Sequence, residues 1–173
     1  VLSVQTKTGF FQVRADRPPT LDGIDFIRWN YPGDYEAIMW LQENADFDQV
    51  ILEAVGGQYS YHGRVAMATG LPTVIGWAGH QRQWRGDTFD EVAGGREAAV
   101  REIYTTPNMQ RAMDLIEQYD ITYIYVGVLE RNPDFASPVG LAKFERFLTP
   151  VYQNDGVTIY RADQPRIEEP ASQ

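Results

Sequence analysis

Ile121-Thr122-Tyr123-Ile124-Tyr125-Val126 (ITYIYV) decides the fold. Six β-branched and aromatic residues without glycine or proline read as a core strand. The residues before them read as a helix. Thr106 is placed to cap it, Pro107 suits its first position, and Ala112, Leu115, Ile116 and Tyr119 mark one face at i, i+3, i+4 and i+7. Another helix is expected between Glu91 and that cap. Farther upstream, Pro72-Thr73-Val74-Ile75 and Val50-Ile51-Leu52 read as two more strands, the latter a continuous apolar run of the kind buried on both faces of a parallel sheet. Arg64 to Thr69 between them predicts a helix closed by Gly70. A first helix is predicted from Asp34, as N-cap behind Pro32-Gly33, to about Asp46, with Ile38, Leu41 and Ala45 on one stripe.

Downstream of ITYIYV a helix is expected near Leu141 to Phe147. Val151-Tyr152 and Val157 to Tyr160 then flank Asn154-Asp155-Gly156, a hairpin signal. Strands alternating with helices predict an α/β, three-layer-like domain: a small, mostly parallel sheet, flanking helices and a C-terminal antiparallel hairpin. Residues 1–30, with Pro18-Pro19 and Asp22-Gly23 as turn signals, read as an irregular arm, 31–163 as the α/β domain, and 164–173 as a flexible tail.

The chain has 173 residues and a hydrophobic content of 43%, enough for one domain with a real core. Its 15 basic and 24 acidic residues give a formal charge of -9, opposite in sign to a nucleic-acid-binding footprint, so no nucleic-acid partner is expected. There is no cysteine, hence no disulfide framework and no thiolate chemistry. No run approaches the ~18 to 20 apolar residues of a membrane span. The start, Val1-Leu2-Ser3, carries no signal-peptide pattern and no initiator methionine, which is expected of a piece of a longer polypeptide or of a trimmed chain.

Ligands of open α/β sheets bind beyond the carboxyl ends of the strands. That rule selects Glu53, Tyr59, Tyr61 and Arg64 after the first strand, Trp77, His80, Trp84 and Arg85 in a loop from Gly76 to Arg85 after the second, and Glu130 with Arg131 after the third. Aromatic faces suit the apolar side of a pyranose, carboxylates bind hydroxyls, and arginine forks onto phosphate, so the set fits a sugar or sugar phosphate. Plainer roles are open for each residue. The tyrosines can cover a sheet edge, the tryptophans anchor a loop, His80 staples it, and Glu53 and Glu130 pair with Arg64 or Arg85 instead of forming a glycosidase acid pair. His62, His80 and Glu53 lack metal-ligand spacing, and GxxxxGK[ST], GxGxxG and G-x-S-x-G patterns are all absent. No metal, cofactor or catalytic residue is expected in this chain.

The order Thr20-Leu21-Asp22-Gly23, Trp40-Leu41, Ile51-Leu52-Glu53-Ala54, Tyr59-Ser60-Tyr61, Gly63-Arg64, Thr69-Gly70-Leu71-Pro72-Thr73, Gly76-Trp77, Gly79-His80, Gln83-Trp84-Arg85, Ile103-Tyr104, Tyr123 to Gly127 and Ile159-Tyr160-Arg161 resembles the C-terminal soluble region of YYY-type bacterial and archaeal membrane proteins. Those look like C-superfamily glycosyltransferases, multi-spanning enzymes that take a sugar from a lipid-phosphate carrier outside the membrane. The resemblance implies an accessory domain on the extracytoplasmic face, whose partners are its own transmembrane portion and a glycan or lipid-phosphate sugar. The catalytic acids of such enzymes lie between membrane spans, so none is carried over to this chain. A docking or structural domain for the membrane portion or a partner subunit, and a glycoside hydrolase using Glu53 and Glu130, stand as alternatives.

Overall fold

The structure is a computed structural model and describes residues 22–162. Four strands, β1 (Val50–Leu52), β2 (Ile121–Val126), β3 (Thr149–Gln153) and β4 (Thr158–Arg161), form one sheet in the order β1-β2-β4-β3. β1 runs parallel to β2, while β4 is antiparallel to both β2 and β3. The ITYIYV strand is buried at all six positions, as a central strand covered on both faces must be.

Alternation along β2 sends its side chains into two separate cores. Ile124 and Val126 join Phe89, Ile103, Tyr104, Leu115 and Phe144 on one side. Tyr123 and Tyr125 join Ile27, Ile38, Leu41 and Val65 on the other. The result is helix, sheet, helix: the α/β layering, with its C-terminal hairpin, that the alternation of elements predicts.

The second layer is made by α1 (Asp25–Asn30), α2 (Pro32–Asn44) and α3 (Arg64–Thr69). α1 lies where an irregular arm is expected. Its Ile27 is fully buried against α2, so the domain takes in this part of the expected arm. α2 begins two residues earlier than Asp34, because Pro32 occupies the first turn, where a missing N–H costs nothing. Asp34 is therefore a first-turn residue and is buried. Gly70 ends α3 at φ 78, as expected. The rest of the expected arm and the tail, residues 1–21 and 163–173, lie outside the described residues.

The opposite layer holds α4 (Ala78–Arg85), α5 (Phe89–Ala93), α6 (Arg96–Thr105), α7 (Met109–Gln118), α8 (Pro138–Ala142) and α9 (Phe144–Phe147). Two local readings change. Asn108, not Thr106, caps α7, its Oδ1 accepting from the N–H of Arg111 at 3.1 Å. Pro72 to Ile75 contributes only a parallel bridge, Thr73 to Ile51, rather than a strand, since Pro72 brings no N–H to a ladder. Among the described residues no helix is long and apolar enough to cross a membrane.

Candidate functional site

β1 and β2, being parallel, end on the same edge of the sheet, and the chain leaves them at Glu53 and Gly127. Arg64 lies beneath that edge at the start of α3 with none of its side chain exposed. Its Nε donates to Asp34 Oδ2 at 2.8 Å and its Nη2 to Glu130 Oε2 at 2.9 Å, with Glu53 Oε2 at 3.6 Å from Nη1. The rings of Tyr61 and Tyr125 flank the guanidinium at 5.1 and 5.0 Å. Both tyrosines also donate their hydroxyls to Asp34, at 2.8 and 3.0 Å.

The two glutamates serve the backbone. Glu53 accepts from Val65 N–H at 3.0 Å and Ala66 N–H at 2.8 Å, neutralising the open amino end of α3. Glu130 accepts from Ala54 N–H at 2.7 Å and Gly127 N–H at 2.8 Å, tying the ends of both parallel strands together. Burial pushes the Glu53 carboxyl up to about 7 against the pull of Arg64 and the two N–H groups. Burial also works to raise Glu130, but Arg64 and the backbone donors outweigh it and hold the group below the usual range. Burial likewise opposes the charge on Arg64, yet Glu130, Asp34 and Glu53 keep the guanidinium firmly protonated.

This arrangement rules out the glycosidase reading of Glu53 and Glu130. They are 2% and 0% exposed and are committed to N–H donors, so neither faces a substrate or water as an acid pair must. They pair instead with Arg64, one of the two arginine partners the sequence allows.

Above the buried cluster lies an open cleft of about 880 Å³ lined by Phe26, Tyr31, Tyr59, Tyr61, Met67 and Trp77, with Arg64 at its floor. Tyr31 stacks on Tyr61 at 4.1 Å between ring centroids, and Phe26 meets Tyr61 edge-on at 6.3 Å. On the far side Tyr59 packs on Trp77 at 5.1 Å, and the Trp77 indole N–H donates to the carbonyl of His62 at 2.7 Å. Tyr59 holds φ at 52, a region a bulky side chain rarely occupies, and its ring is largely exposed.

Gly76 to Arg85, read from the sequence as a loop, is mostly helix α4. Its residues from Ala78 on contain no proline or β-branched side chain, Trp77 is the extended N-cap, and Gly86 at φ 55 stops it. The helix sets His80 and Trp84 one turn apart, where the Trp84 indole N–H donates to His80 Nε2 at 2.9 Å. His80 Nδ1 lies 2.9 Å from the Tyr59 hydroxyl. Arg85 is exposed in the last turn of α4 and does not line the cleft.

Of the nine sequence candidates, Tyr59, Tyr61, Arg64 and Trp77 thus line one cleft, His80 and Trp84 stand behind Tyr59, Glu53 and Glu130 lie below, and Arg85 stands apart. Arg131, also noted in the sequence, links the hairpin to β2 through the carbonyls of Val126 and Gly156. Phe26, Tyr31 and Met67 of the cleft, and Asp34 and Tyr125 of the buried cluster, escape the sequence reading. An Ile24-Ile27 spacing, with three aromatic residues from Phe26 to Tyr31, was the available signal for Phe26 and Tyr31. For Asp34 there was none, because burial of an acid inside a first turn is a tertiary fact.

A scan of family models and a search of curated proteins give no match to this chain. Among solved structures it is similar to the C-terminal globular domain of an oligosaccharyltransferase from Archaeoglobus fulgidus, with 13% identity, a TM-score of 0.43, and coverage of 73% of this chain and 94% of that one.

Proposed function

We propose that this domain is a non-catalytic recognition module that holds a glycan in the Tyr31, Tyr59, Tyr61 and Trp77 cleft, as the extracytoplasmic part of a membrane glycosyltransferase-like protein. The observation that carries the reading is the convergence of these aromatic rings on one cleft, two of them stacked at 4.1 Å. Aromatic rings of this kind, fixed by polar contacts at their edges, suit the apolar face of a sugar ring. The sequence resemblance supports the membrane context and its outward-facing side. In an NMR titration of the isotopically labelled domain with neutral oligosaccharides and polyprenyl-phosphate sugar analogues, shifts are expected in residues 53–64 and 76–85. No shift in either segment at millimolar ligand overturns the proposal.

A second reading is docking onto the membrane portion or a partner subunit. It is favoured by the exposure of Phe26, Trp29, Met67 and Trp84, at 44%, 45%, 57% and 78%, around the same region. If docking is the role, Trp84→Ala disturbs assembly of the full-length protein while no sugar binds either form of the domain.

A further inference from the structure

The hydrogen-bond chain behind the cleft fixes the direction of each of its protons. An indole N–H can only donate, so His80 Nε2, 2.9 Å from Trp84 Nε1, must be a bare acceptor nitrogen. The ring proton of the neutral imidazole then sits on Nδ1 and is donated to the Tyr59 oxygen, 2.9 Å away. The phenol oxygen is occupied as an acceptor, and among the described residues no acceptor faces its own proton. Tyr59 therefore offers the cleft a directed O–H donor, on a ring braced by Trp77 and held at an unusual backbone angle.

The charge beneath the cleft selects among saccharides. Among the described residues Arg64 is the one charged side chain in the lining, and each of its guanidinium nitrogens already faces a carboxylate. With Asp34, Glu53 and Glu130 gathered around a single guanidinium, no cation among the described residues of the lining is free to fork onto a phosphate, and the surplus negative charge of the cluster repels one. The residue types fit a sugar or a sugar phosphate; the burial of Arg64 removes the phosphate partner.

We infer that the cleft takes an uncharged saccharide, one of whose oxygens accepts a hydrogen bond from the Tyr59 hydroxyl, and that Trp84 and His80 act as positioning residues for that donor without touching the sugar. This rests on reading the cleft as a glycan site, and the following experiment separates the two. The domain is titrated by NMR with methyl α-mannopyranoside and methyl α-glucopyranoside, with maltotriose and mannotriose, and with mannose 1-phosphate and glucose 1-phosphate. The neutral sugars are expected to bind at least about tenfold more tightly than the phosphates. Tyr59→Phe is expected to weaken neutral-sugar binding about fivefold, the worth of one hydrogen bond. Trp84→Phe keeps a ring but removes the donor, and is expected to give a smaller loss. The 15N shifts of His80 are expected to show the Nδ1–H tautomer in the native domain and a mixture in Trp84→Phe, a change that mere loss of stability would not produce. Phosphates binding as tightly as their neutral counterparts, an Nε2–H tautomer in the native domain, or unchanged binding in Tyr59→Phe would each overturn the inference while leaving glycan recognition standing. If no sugar binds at all, both fall together.

Discussion

Glu53 caps a helix from outside it: its carboxylate, at the end of β1, accepts from the backbone N–H of Ala66 at 2.8 Å in the first turn of α3. The residue preceding that helix, Gly63, has no side chain to do so, and Val65 N–H is held by the same carboxylate. Glu53→Ala is expected to leave both donors unsatisfied beneath the sheet edge and to cost about 2 kcal/mol, read as a lower denaturant midpoint with an unchanged slope.

Because burial raises Glu53 to about 7 from an ordinary 4.5, the folded state keeps its proton over a window where the unfolded chain has lost it. Stability due to this group is therefore complete below pH 4.5 and falls as pH rises to about 7, by on the order of 3 kcal/mol. His62, held low chiefly by burial, works in the opposite sense, losing stability as the solution becomes more acid than its ordinary value of 6.5. The difference between native protein and Glu53→Gln isolates the glutamate. Unfolding free energies across pH 4.5 to 8 should show the native curve descending relative to the variant, and parallel curves would refute the assignment.

Arg64→Met removes the guanidinium from between Asp34 and Glu130 and leaves both carboxylates buried without a counter-charge. A loss of about 3–5 kcal/mol is expected, a large share of the stability of an ordinary domain. Circular dichroism melts test it. Arg64→Lys should recover only part of the loss, since an ammonium cannot repeat the forked geometry.

Gly127 is required by the closeness of its neighbours. A methyl group there would sit 2.8 Å from Tyr125 Cε1 and 2.9 Å from both Arg64 Nη2 and Asp34 Oδ1. Gly127→Ala is expected to cost about 1–3 kcal/mol by overpacking, measured in the same melts.

Tyr31 is half-exposed and lends its ring to Tyr61 alone among the described aromatic contacts. Tyr31→Ala should weaken oligosaccharide binding about five- to tenfold while moving the melting temperature little. Equal affinity in native and variant domains would remove the stacked pair from the proposed site.

Residues with periodicity or punctuation could be read before the structure: ITYIYV as the central strand, the Ala112, Leu115 and Ile116 face of α7, Gly70 as a terminator, and the Asn154 hairpin. Each is set by neighbours within a few positions. α4 was hidden because its polar run, Gln81 to Arg85, buries no side chain, so no apolar stripe marks it. Local sequence places Glu53 and Glu130 after strands and Arg64 at the start of a helix but says nothing of their depth. Their depth follows from Asp34, far off in sequence, closing over the same guanidinium. That closure turned three apparent ligand contacts into the floor beneath a cleft.

Arg64 joins the first turn of α2, the ends of both parallel strands and the start of α3 at one point, and Tyr61 rises from that point to form a wall of the cleft. That wall is therefore standing before any ligand arrives. A visitor to this part of the cleft meets no closing step, so association should run near the pace of diffusion and affinity should be decided by how fast the visitor leaves.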